Sequence, residues 1–107
     1  MRGGGTLEAV EVRFADQRLD RLEVDPRYDG GYAGPVVTAY RKRMQTIRGA
    51  PDERVFYSLK SLHFEKLKGD RSRQWSMRLN EQWRLVLELE GRGAGKVVVL
   101  VGIEDYH

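Results

Sequence analysis

Cysteine is absent from the chain. That excludes a disulfide framework, a thiolate metal site and a cysteine nucleophile, and it suits a reducing cytosol. Histidine is nearly absent. His63 and His107 stand far apart in sequence, too few for a zinc site, and no metal or other cofactor is expected. No apolar run approaches the roughly 18–20 residues of a membrane-spanning helix. No signal-peptide core follows the opening MRGGGT, so a cytoplasmic protein that does not engage membranes is expected. Internal repeats, low-complexity tracts and interdomain linkers are also missing.

What is present reads as one folded unit. Hydrophobic residues make up 40% of the chain and charged residues 33%, a globular rather than a disordered balance. A length of 107 residues gives a single domain, 1–107, with the Gly-rich residues 1–6 expected to be disordered. The net charge is +3 and lies entirely in the second half. Residues 60–84 hold seven basic side chains (Lys60, Lys66, Lys68, Arg71, Arg73, Arg78, Arg84) against three acidic ones. Such a patch is either solvated surface or a footprint for a polyanion, most naturally nucleic acid.

Hydrophobic periodicity orders the elements. Leu7–Phe14 alternates and predicts a first strand. Asp16 can cap a short helix, Gln17–Val24, that ends before Pro26. Asp25–Gly34, rich in Gly and Tyr, is a loop. Pro35 suits the first turn of a helix over Val36–Arg48, with Val37, Tyr40, Met44 and Ile47 on one stripe. Gly49 and Pro51 stop it. Asp52 can cap a further short helix, Glu53–Leu59. GRGAGK, residues 91–96, lacks phosphate-loop spacing and leads into a strand rather than a helix, so it is a turn. Val97–Ile103 is a continuous apolar run, expected as a strand buried on both faces at the sheet centre. The order β-α-α-α-β-β-β predicts an α+β fold, an N-terminal strand and helices packed on an antiparallel sheet.

The most informative stretch is LKGDRSRQWSMRLNEQWRLVLELE, residues 67–90. Trp75, Met77 and Leu79 alternate with Gln74, Ser76, Arg78 and Asn80. After a polar turn, Trp83, Leu85, Leu87 and Leu89 alternate with Arg84, Val86 and Glu88. This predicts a hairpin with one apolar face. The tightest register pairs Leu79 with Trp83 across a three-residue loop and sets Arg78 opposite Arg84. Like charges in that position destabilise a sheet. Either an anion sits between them, or they splay into water or pair with Glu88.

The chain then runs from an apolar strand into Glu104-Asp105-Tyr106-His107. A frayed end is one reading. The other is a set of proton-transfer groups fixed near the basic hairpin. Bases and acids beside fixed cations are what RNA transesterification requires.

These residues carry a resemblance. Leu67-Lys68-Gly69-Asp70, Trp75-Ser76-Met77-Arg78-Leu79-Asn80, Gln82-Trp83-Arg84 and the terminal Asp105-Tyr106-His107 resemble, in order and spacing, the HigB-like plasmid-maintenance killer branch of the RelE/ParE toxin superfamily. The helical AYRKRMQTIRGAPDE segment suits it too, so the likeness covers roughly residues 8–107.

The resemblance implies a RelE-like fold and the toxin of a type II toxin–antitoxin system. Such a toxin would be an mRNA interferase, an endoribonuclease that cleaves mRNA in the ribosomal A site and stops translation. Its implied partners are a helix-turn-helix antitoxin, mRNA on the ribosome with 16S rRNA contacts, and operator DNA reached only through the antitoxin. By matched position, Lys68, Arg84, Asp105, Tyr106 and His107 are the implied catalytic residues. Lys66, Arg71, Arg73, Arg78 and Asn80 form the implied RNA-binding face. Many relatives carry a histidine where this chain has Glu65. His63 lies nearby, flanked by Leu62 and Phe64, which favours a packing role for it. Glu65 and His63 are the possible replacements for the missing group. Two other readings suit the same fold: a ParE-like toxin that binds DNA gyrase without nuclease chemistry, or a degenerate homologue that only binds its antitoxin.

Overall fold

The computed structural model describes residues 9–91 and 96–106. Leu7, the Gly-rich start, most of the 91–96 turn and His107 lie outside them.

Three helices cover one face of a five-stranded sheet. The strands are β1 (Glu11–Phe14), β2 (Glu65–Lys66), β3 (Gln74–Arg78), β4 (Trp83–Glu90) and β5 (Val97–Asp105). Their spatial order is β1-β5-β4-β3-β2. β1 runs parallel to β5, and every other pairing is antiparallel. The α+β expectation holds, with the N-terminal strand joined to the sheet as a parallel edge. Among the described residues no helix is long and apolar enough to cross a membrane.

The helices form where the caps and stripes place them. α1 (Gln17–Val24) starts at Asp16, whose carboxylate accepts from the Arg18 amide, and it buries Leu19 and Leu22. α2 (Gly34–Gly49) has Pro35 in its first turn and buries Val37, Tyr40, Met44 and Ile47. Each such aliphatic side chain contributes about 1.5–3 kcal/mol on burial. α1 and α2 are clasped by polar bonds as well. The Tyr40 hydroxyl donates to Leu19 O at 2.7 Å. Arg41 donates to Leu22 O and Asp25 O, which satisfies carbonyls at the end of α1. α3 (Arg54–Ser58) is short and buries Phe56.

Two expectations need correction. β5 is second in the sheet, not central; β4 holds the centre. Nor is β5 buried on both faces. Val98, Leu100 and Ile103 are buried under the helices, whereas Val97, Val99 and Val101 are half-buried. The helices cover only one side of the sheet, so an unbroken apolar run does not imply two covered faces. The sheet also has one more strand than expected. β2 is two residues long, too short to show alternation.

β5 carries an irregularity that matters for the site. Leu87 pairs with Leu100, but Val86 pairs with Gly102, so Val101 is an extra residue. The bulge turns Ile103 inward and sets Glu104 opposite Arg84.

Candidate functional site

The hairpin adopts the register its sequence predicts. Arg78 pairs with Arg84, and the Leu79 amide donates to Trp83 O at 2.9 Å. Met77, Leu79, Leu85 and Leu87 are buried against the helices. On the opposite face, Arg78, Arg84 and Glu104 form one row across β3, β4 and β5.

That third position explains how the arginine pair is tolerated. The two guanidinium groups diverge. Arg84 leans toward Glu104, 3.6 Å away. Arg78 turns toward β2, donating from Nε to Asn80 O at 3.2 Å, with Nη1 3.5 Å from His63 Nε2. Glu88, the anticipated partner, accepts from Gln74 instead. Glu104 is itself held by Arg71 in a bidentate pair at 2.9 and 2.6 Å. Arg71 first, and then Arg84, hold its carboxyl below the usual carboxylate range against the opposing effect of burial. Arg84 Nε is buried and has no partner among the described residues, so its ion-binding capacity is only partly used.

Tyr106 completes the face. Its amide donates to Gln82 O at 2.7 Å, which anchors the end of β5 beside the hairpin loop. The Arg84 guanidinium carbon lies 5.4 Å from its ring centroid. Partial burial pushes the phenol up; Arg78 and Arg84 oppose this and Glu65 adds to it. His63, Glu65, Arg78, Glu81 and Tyr106 together line an open cleft of about 290 Å³. An imidazole, carboxylates, a guanidinium and a phenol therefore converge on one wall.

His63 reaches the cleft through its backbone. It has φ 45° and ψ 53°, the left-handed conformation that is uncommon outside glycine but tolerated by histidine. That turn sends Leu62 into the core and stacks Phe64 on Trp75 at 4.6 Å, while leaving His63 exposed. The expectation that His63 packs between its apolar neighbours is therefore corrected. The neighbours pack and His63 does not.

Several anticipated residues lie elsewhere. Asp105 pairs with Trp83, on the helix-facing side, and accepts from Gln82 Nε2 at 3.0 Å. Arg71 is committed to Glu104 and Gln74 rather than free for RNA. The Asn80 side chain caps the hairpin loop, accepting from the Gln82 and Trp83 amides at 2.8 Å each, so it serves the turn and not the arginine face. Lys68 and Arg73 are exposed beside the Gly69–Arg71 turn, outside the cleft lining. Lys66 pairs with Trp75 on the other face. Sequence reasoning missed Glu104 and Glu81. Counting back two residues from Tyr106 would have placed Glu104 on its face.

Among the described residues no group of three His, Asp or Glu side chains could hold a metal ion. A second groove of about 240 Å³ lies between α1 and β5. Its charged lining, Asp16 and Arg18, is already paired, so it offers no comparable chemistry.

No family model and no curated protein matches the chain. The structure is similar to a solved one, the YoeB/ParE toxin from Agrobacterium tumefaciens, with a TM-score of 0.61 and 17% sequence identity over 92% of this chain and all of that one. The likeness identifies the chain's α+β architecture as the RelE-like fold of YoeB/ParE toxins.

Proposed function

We propose that this protein is the toxin of a toxin–antitoxin pair and an endoribonuclease that cleaves mRNA during translation. The observation that carries the reading is the convergence of Arg78, Arg84, Tyr106, His63 and Glu65 on the sheet face that no helix covers. The fold shared with a YoeB/ParE toxin supports it, as does the motif order that resembles HigB-like toxins.

The chemistry follows from the groups present. A base removes the proton of a ribose 2′-OH, and that oxygen attacks the adjacent phosphorus. Arg78 and Arg84 stabilise the added negative charge on the phosphate. The bond to the 5′-oxygen breaks, and an acid gives that oxygen a proton. The products are a 2′,3′-cyclic phosphate and a 5′-hydroxyl. His63, Glu65 and the terminal His107 are the proton-transfer candidates, and Tyr106 orients the nucleotide. Lys68 and Asp105, implied as catalytic by the resemblance, are not part of the cleft lining and take no step in this scheme. An antitoxin would neutralise the toxin.

The test is induced expression in growing cells. Wild type should arrest growth. Arg84→Ala and Tyr106→Ala should each relieve arrest and lower cleavage by about 10²-fold while the purified variants keep the native melting transition. Unchanged toxicity in both folded variants would refute the site. DNA damage signalling with translation unaffected would favour the gyrase-binding reading.

A further inference from the structure

The cations of this molecule are not used alike. Arg13, Arg18, Arg48 and Arg54, on the β1 and helical side, all sit in close ion pairs with carboxylates. Lys66, Lys68 and Arg73 are exposed, and none of their side chains forms an ion pair or hydrogen bond with any described residue. They cluster at the β2 edge of the sheet.

That edge also carries an aromatic platform. Phe64 and Trp75 lie parallel, 4.6 Å apart at 7°. Tyr57, from α3, stands perpendicular to both, at 5.1 and 5.6 Å. Tyr57 remains 53% exposed. The Lys66 ammonium lies 5.9 Å from the Trp75 ring. The platform and the cleft are two faces of the same short strand: Lys66 and Phe64 lie on one side, Glu65 and His63 on the other.

We propose that this edge is a second, non-catalytic nucleotide subsite. It would take an unpaired base of single-stranded RNA against the Tyr57 ring, with Lys66, Lys68 and Arg73 on the flanking phosphates. Flat rings beside unpaired cations match a base and its backbone at once, whereas an acidic peptide would use the cations alone. A strand leaving the cleft has to cross only β2 to reach the platform. The inference deepens the RNA reading above and rests on it for the identity of the ligand. It does not require that the cleft be active.

The experiment is fluorescence anisotropy of the full chain with a labelled, uncleavable 2′-O-methyl hexaribonucleotide at several salt concentrations. Tyr57→Ala should weaken binding about tenfold, and Tyr57→Phe should leave it within about twofold. Lys66→Ala and Arg73→Ala should each reduce the slope of log affinity against log salt by about one. Arg84→Ala should keep the Tyr57-dependent component. Tyr57-dependent binding by a protein that leaves messages intact would sustain the subsite while defeating the nuclease reading. Equal affinities for wild type and Tyr57→Ala, or no binding by wild type, would overturn the subsite. So would a hexaglutamate peptide that competes as well as RNA.

Discussion

At the scale of single residues, Arg84 and Glu104 decide how the site works. Arg84 faces a like charge across β3, and Glu104 in the same row draws it away. The carboxylate of Glu104 is held below its ordinary range in the folded protein, so its contribution is present above its unfolded pKa and lost as pH falls through the folded value. Urea melts across the acid range should show wild type losing an increment of stability that Glu104→Gln never has. Equal pH dependence for the two proteins would mean that the Arg71–Glu104 pair contributes nothing to stability. The arginine pairing was legible in the sequence because strand parity and loop length fix it. The exposure of His63 was not, because it depends on a single left-handed residue between two core side chains. Alternation of Leu62, His63 and Phe64 reads equally well as a packed segment.

At the scale of elements, the strand pattern alone misplaced β5. Its apolar run hides the bulge at Val101, where the count of residues on β5 exceeds that on β4 by one. Were Val101 paired in an unbroken ladder, Ile103 would face Arg84 and Glu104 would turn toward the helices. Deleting Val101 instead removes the surplus residue and leaves Ile103 opposite Leu85 and Glu104 opposite Arg84, so the fold should survive the deletion. The expected outcome is a retained cooperative unfolding transition, read by circular dichroism during heating. A deletion variant without that transition would contradict the assigned register. Helix limits were easier to read than β5. Asp16 and Pro35 mark the starts of α1 and α2 through capping and a preset φ, which act locally and need no tertiary partner. β2 offered no such local signal, because two residues cannot establish a period.

At the scale of the whole molecule, the helices occupy one face of the sheet and leave the other to side chains that bind charge. Composition pointed to this division through the basic excess of residues 60–84 but could not say which cations stay available. Arg71 is consumed by Glu104, whereas Lys66, Lys68 and Arg73 remain open. The arginine face, with Tyr106 and the His63–Glu65 wall, is the feature on which the proposed activity depends. The most direct test is to map RNA ends in cells expressing wild type and Arg84→Ala. The prediction is 5′-hydroxyl ends, with matching 2′,3′-cyclic phosphates, within codons of translated messages for wild type and their loss in the variant. Intact messages in growth-arrested cells, or the same ends with Arg84→Ala, would contradict it.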